Sequence, residues 1–229
     1  MSNTIDSSAL DDSLLDIVSL NARFSAAPAE DVMAWAEQTF GADLVVLVAM
    51  TTDVVLVDLA SRRAPSAGIV FLDTGHHFPE TLAFLDTVRH RYTNTRISVH
   101  GSGLAPAEMW KTDPDGCCHL RKVVPMENAL AGHRAWVSGM RRADSLVRAD
   151  VPVVQRDKRG LIKLNPLATW TDELLATFVA MHDVPQHPLL AEGYTSIGCA
   201  PCTQKVAHGQ HPREGRWAGV NKTECGLHV

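Results

Sequence analysis

The chain has 229 residues, 45% of them hydrophobic, and its 21 Lys and Arg against 26 Asp and Glu leave a formal charge of -5. That is enough apolar material for a full core in a single α/β domain spanning 1–229. No apolar stretch approaches the roughly 18 residues of a membrane span, and the net acidity argues against general nucleic-acid binding.

The first thirty residues are polar and acidic, with Asp6, Asp11, Asp12 and Asp16, and read as an N-terminal arm or a short helix. Val32, Trp35, Ala36 and Phe40 then recur at helical spacing and stop at Gly41. Leu44 to Val48 is a continuous, β-branched apolar run, the pattern of a strand buried on both faces. Thr51, Thr52 and Asp53 offer a cap for a helix over 54–60. A second strand over 69–72 runs into Asp73-Thr74-Gly75, and Pro79 opens a helix whose inner stripe is expected to be Leu82, Leu85 and Val88. Third and fourth strands are expected over 97–99 and 135–138. Alternation of this kind predicts a mainly parallel sheet with right-handed crossovers and helices on its flanks.

Sheets of this class bind ligands beyond the carboxyl ends of their strands, where the 49–53 and 73–75 loops stand. Neither loop is a G-x-G-x-x-G or a G-x-x-x-x-G-K-[ST], so a dinucleotide fold and a P-loop kinase lack support. Between Lys111 and Lys163 there are eleven Lys and Arg against six Asp and Glu. An anionic small ligand and a solvated basic face both account for that excess.

Five cysteines carry the most information. Cys117 and Cys118 are adjacent, Cys199 and Cys202 form a C-x-x-C, and Cys225 stands alone. An odd count without a basic-then-apolar leader does not suit a secreted disulfide framework, so the cytoplasm is the expected compartment. There, clustered thiols are more often metal ligands or redox groups than disulfides.

Four blocks then appear in a recognisable order: Cys117-Cys118-His119-Leu120-Arg121-Lys122, Gly139-Met140-Arg141-Arg142, Ile197-Gly198-Cys199-Ala200-Pro201-Cys202 and Glu224-Cys225-Gly226-Leu227-His228. With Leu72-Asp73-Thr74-Gly75 and Arg213-Glu214-Gly215-Arg216-Trp217, they resemble assimilatory adenylyl-sulfate reductases over roughly residues 44–228. The resemblance implies a Rossmann-like adenine nucleotide alpha-hydrolase fold of the PP-loop type. It implies a [4Fe-4S] cluster on Cys117, Cys118, Cys199 and Cys202, for which four thiolates are the usual complement. A structural zinc site on the same thiolates and a thioredoxin-like dithiol at 199–202 are the competing readings of those cysteines.

By the same resemblance, Cys225 is the nucleophile, with Lys122 and His228 as its catalytic companions. Its thiolate attacks the sulfur of adenosine 5'-phosphosulfate, AMP leaves, and thioredoxin releases sulfite from the resulting S-sulfocysteine. Thr74, Gly75, Gly139, Arg141, Arg142, Arg148, Arg213 and Arg216 are the implied substrate-binding positions, since an anion attacking an anion needs fixed positive charge. Lys222 and His228 are nearby cations that favour the thiolate. Glycines 209, 215, 219 and 226 suggest a mobile 205–229 segment carrying Cys225.

Residues 49–53 depart from the family, which usually places a Ser, often followed by Gly, where Ala49 and Met50 stand. Four cluster cysteines point to the unphosphorylated nucleotide; a 3'-phosphoadenosine 5'-phosphosulfate or dual-substrate reductase is the nearest alternative. A non-redox PP-loop ligase or thiolation enzyme and a catalytically silent sensor lie further off. A homo-oligomer is compatible with the sequence.

Overall fold

The computed structural model describes residues 12–101, 103, 106–207, 209–217 and 222–228, so Asp6, Asp11 and Gly219 lie outside the described residues. In chain order the elements are α1 (Ile17–Phe24), α2 (Ala29–Phe40), β1 (Leu44–Val48), α3 (Val54–Arg63), β2 (Gly68–Asp73), α4 (Pro79–Arg91), β3 (Ile97–Gly101), α5 (Met109–Thr112), α6 (Pro114–Cys118), α7 (Val124–Leu130), β4 (Ala135–Val137), β5 (Val154–Arg156), β6 (Ile162–Leu164) and α8 (Asp172–His182). Among the described residues no helix is long and apolar enough to cross a membrane.

The strands form one sheet in the order β3-β2-β1-β4-β6-β5. All neighbours are parallel except β5, which runs antiparallel to β6 at the edge. The chain steps outward from β1 to β2 and β3, then crosses back to place β4 on the other side of β1. The carboxyl ends of β1, β2 and β4 therefore converge on a topological switch point, the position where such sheets bind ligands.

Alternation along the strands divides the core in two. Leu44, Val46 and Val48 of β1 join Ile69, Phe71, Ala135, Val137, Ile162 and Leu164 on the face covered by α2, α3 and α4. Val45, Leu47, Val70, Leu72 and Trp136 face the other way, onto Met126, Ala129 and Leu130 of α7. Leu227, from the far end of the chain, packs against this second cluster.

Several local expectations need adjustment. Leu82 is 43% exposed, and the inward stripe of α4 is Thr81, Phe84, Leu85 and Val88. Asp53 occupies the N-cap of α3 but makes no capping bond. Its carboxylate turns back to accept the amides of Ala49 at 2.6 Å and Thr51 at 2.8 Å. β5 and β6 have three residues each, around the tight turn at Asp157 and Gly160, too short and too polar to stand out by pattern. α8 was also unforeseen, although Thr171 accepts the Leu174 amide as a regular N-cap and acidic residues fill its first turn. Within the first thirty residues, α1 docks on the edge strand: Asn21 accepts the Val154 amide at 3.0 Å and donates to its carbonyl at 2.7 Å.

Candidate active site

Three loops at the carboxyl ends of the strands, together with the two cysteine-bearing segments that follow, enclose a cavity of about 470 Å³. Its walls include Leu47, Leu72, Thr74, Lys122, Gly139, Arg141, Arg148, Cys199, Arg213, Arg216, Cys225 and His228. The volume lies within the range of small-molecule sites.

The 49–53 loop is built around Asp53, whose two amide contacts fold the loop back over the start of α3. Burial pushes this carboxyl up from its ordinary value, against the pull of those amides. Met50 adopts φ 56° with its side chain fully buried in the larger core. A left-handed non-glycine residue costs about 1–2 kcal/mol, and burying a methionine returns about as much. Apolar anchoring thus supplies a conformation that the sequence pattern assigns to glycine. Across from it, a Cβ on Gly139 would stand 2.9 Å from Asp53 Cβ, so glycine there lets the two loops approach.

Cys117 and Cys118 end α6, and the chain continues through a π turn at His119–Val123 into α7. Pro125, near the start of α7, has no amide hydrogen and clashes with the carbonyl four residues back, which widens the helix at that point. The widened turn buries Arg121 and Lys122. Arg121 donates to the Thr74 carbonyl at 2.7 Å and the Pro106 carbonyl at 3.1 Å, tying the Cys117 region to the loop after β2. Lys122 points into the cavity; burial opposes its charge, but Cys199, Cys225 and Cys118 in their thiolate forms outweigh this and raise its pKa above the ordinary value.

All five cysteines are free, with Cys117, Cys118 and Cys199 buried and Cys202 and Cys225 half-buried. Cys199 is the hub: it lies within electrostatic reach of Cys117, Cys118 and Cys202, and as a thiol it donates to Thr74 Oγ1 at 3.3 Å. Burial pushes the Cys117, Cys118 and Cys202 thiols up, so an electropositive partner is needed to keep them as thiolates. Four free, mutually sensing thiols are a donor set suited to a soft metal group. Among the described residues, no three His, Cys, Asp or Glu side chains converge as ligands of one metal ion would. Gly198 lets the Arg216 guanidinium pack directly beside this hub; a Cβ there would displace it.

The cations divide into two sets. Arg148 grips the Glu224 carboxylate with two bonds of 2.8 Å and also pairs with Asp144 at 3.0 Å. Arg213 reaches Glu224 at 3.3 Å. Burial raises the Glu224 carboxyl, but Arg148 and Arg213 overcome this and hold it below its ordinary value. Lys122 and Arg216, by contrast, have no carboxylate partner among the described residues; Arg216 donates to the Ile197 carbonyl at 3.1 Å. Arg141 lines the cavity but is paired with Asp144 at 2.9 Å and Asp172 at 2.8 Å.

Arg142, Gly75 and Lys222 do not line the cavity. Arg142 is exposed, donates to the Val151 carbonyl at 2.9 Å and does not line the cavity. Gly75 turns back on Asp73 and lies behind Thr74. Lys222 is engaged by Asp115. His228 is neutral in this setting: burial first, then Lys163, Arg148 and Arg213, push its pKa well below the ordinary value. It therefore supplies no positive charge to Cys225. Sequence reasoning assigned no role to Glu224, although it lies inside the E-C-G-L-H block, nor to Arg121, whose partner Thr74 stands 47 positions away; it read Asp53 as a helix cap, whereas the carboxylate folds the 49–53 loop through local amides.

The family model described as Phosphoadenosine phosphosulfate reductase domain matches residues 43–205. The chain is 44% identical over 216 residues to the adenosine 5'-phosphosulfate reductase of Mycolicibacterium smegmatis, covering 91% of each protein. It is 46% identical to that of Streptomyces coelicolor, covering 88% of this chain and 89% of the relative. Among solved structures it is similar to phosphoadenylyl-sulfate reductase from Candida auris, with TM-score 0.72, 28% identity, and coverage of 83% of this chain and 96% of that one. The fold extends to FMN adenylyltransferase of Candida glabrata, with TM-score 0.56, 16% identity, and coverage of 86% and 71% respectively. The Rossmann-like architecture of the PP-loop type is thus the one this sheet adopts, and with the matched domain holding the strands and the four clustered thiols, the chain belongs to the phosphoadenosine phosphosulfate reductase domain family.

Proposed function

We propose that this protein reduces adenosine 5'-phosphosulfate to sulfite and AMP in assimilatory sulfate reduction, with Cys225 as nucleophile and thioredoxin as reductant. One observation carries the reading: the Cys225 thiol opens onto the same cavity as Lys122 and Arg216, two cations without a carboxylate partner among the described residues. The names of the Mycolicibacterium and Streptomyces relatives support the unphosphorylated nucleotide as substrate.

In the first step the Cys225 thiolate attacks the sulfate sulfur, an S–S bond forms, and the bond from sulfur to the phosphate oxygen breaks, releasing AMP. Lys122 and Arg216 offset the repulsion between thiolate and phosphosulfate. Thr74, Gly139 and the 49–53 loop orient the nucleotide. In the second step a thioredoxin thiolate attacks Cys225 Sγ and sulfite departs with the bonding pair. The second thioredoxin thiol then resolves the mixed disulfide and restores Cys225. Two electrons pass from the dithiol to sulfur, with the 205–229 segment moving to present Cys225 to the reductant.

Cys117, Cys118, Cys199 and Cys202 would hold a [4Fe-4S] cluster, which would supply a fixed charge behind Lys122. The five free thiols support a cytoplasmic setting.

The test is sulfite release from adenosine 5'-phosphosulfate with thioredoxin. Cys225→Ser is expected to lose at least about a thousandfold in rate while binding AMP normally; an active Cys225→Ser would sink the mechanism. Protein isolated without air is expected to contain iron and acid-labile sulfide in equal amounts. Stoichiometric zinc would replace the cluster with a structural metal.

A further inference from the structure

Lys163 has no part in the chemistry above, yet it is a lysine at 1% exposure on β6, inside a sheet. It is the cross-strand partner of Trp136 on β4, and the two side chains meet on the smaller face. Its Nζ lies 4.9 Å from the Trp136 ring centroid and 3.4 Å from Met140 Sδ. The carboxylates whose charge it feels, Asp157 and Glu224, are engaged elsewhere. Asp157 accepts Trp136 Nε1 at 2.9 Å and Arg159 at 2.7 Å, and Glu224 is held by Arg148 and Arg213. A buried ammonium whose direct contacts among the described residues are a thioether and an aromatic face is expensive, and burial pushes its pKa down to about 8. Apolar substitutes for buried charge are often neutral or stabilising, so packing alone gives no reason for this cation.

Its position relative to the Cys225 segment does. The His228 ring lies parallel to Trp136, at an interplanar angle of 7° and a centroid separation of 6.1 Å. Leu227 packs on the cluster that contains Trp136. Glu224, at the other end of the same short segment, is attracted by Lys163. Cys225 is thus suspended between two attachment points, one ionic and one aromatic, and Lys163 acts on both.

We propose that Lys163 and Trp136 form the seat on which the Cys225 segment docks, and that Lys163 is a positioning residue for the nucleophile. Trp136 presents a flat surface to His228, fixed in orientation by Asp157. Lys163 adds an attraction that draws Glu224 and its neighbours onto that surface. This role rests on the reading of Cys225 as the reacting thiol.

The experiment compares Lys163→Met and His228→Ala with the parent protein by hydrogen exchange of the peptide spanning 222–228, without substrate. Each variant is expected to accelerate exchange there about fivefold or more, and the double variant to add little to either single one. Formation of the S-sulfonate on Cys225 without reductant is expected to slow, with AMP affinity held within about twofold and the melting temperature of Lys163→Met unchanged or raised. A merely structural lysine predicts the reverse: lower melting temperature and weaker AMP binding, with exchange at 222–228 unaltered. That result overturns the proposal, as does unchanged exchange in His228→Ala, which leaves the sheet intact. Should the parent protein form no S-sulfonate at all, the assignment of Cys225 falls, and the exchange data still decide whether the seat exists.

Discussion

The two faces of the sheet solve different problems with the same strands. On the α2, α3 and α4 side, every buried strand residue is apolar and the helices close over it completely. On the α7 side the cluster is smaller, includes Trp136, borders the buried Lys163, and is completed by Leu227 of the segment that carries Cys225. The first face is covered by helices that precede the C-terminal segment, whereas the second draws part of its apolar cover from Leu227 of that segment. Stability and reactivity are thereby separated across one sheet. A cost on the second face also becomes understandable: lowering the lysine pKa from 10.5 to about 8 corresponds to a destabilisation on the order of 3 kcal/mol at neutral pH.

Paired truncations put this division at risk. Phe71→Ala, on the larger face at 0% exposure, is expected to cost about 3–5 kcal/mol in a urea titration. Leu227→Ala is expected to cost less than about 1 kcal/mol of global stability because only the docked segment loses contacts. It should nevertheless slow S-sulfonate formation about tenfold, or 1.4 kcal/mol of barrier. Equal losses of stability from the two would mean that the faces form one cooperative unit.

A pH titration sharpens the comparison more gently. His228 is neutral when docked and has its pKa held well below 6.5 by burial and by Lys163, Arg148 and Arg213. Undocked, it titrates near its ordinary value of about 6.5. Above that value no proton is taken up and docking is at full strength. As pH falls through it, the undocked form gains a proton the docked form refuses, so docking weakens. Exchange at 222–228 is expected to accelerate below about pH 6.5, after correction for intrinsic rates, while the larger face stays protected. A flat profile would remove His228 from the docking equilibrium.

Much of the larger face was legible in the sequence. The runs at 44–48 and 69–72 are continuous and apolar because both sides of these strands are buried, and they stand out against polar flanks. β5 and β6 did not, since edge pairing rests on hydrogen bonds between short, mixed segments. Within the site, Cys225, Lys122, Arg148, Arg213 and Arg216 reach one cavity. What sequence left out is how the cations are already paired. The hold of Arg148 and Arg213 on Glu224, and that of Arg121 on Thr74, span 76, 11 and 47 positions of chain, beyond any local pattern. Arg142 shows the converse error: a cation adjacent to a site residue in sequence faces outward when the backbone turns.

Met50 ties the 49–53 loop to the core in a way a glycine would not. Its left-handed backbone is held because its side chain is embedded among the residues that support α3. A loop fixed by apolar burial inherits the thermal character of that burial, which weakens on cooling and in urea. On the proposed function, the 49–53 loop should therefore loosen in the cold ahead of the sheet that carries it, making substrate capture, rather than folding, the step most exposed to low temperature.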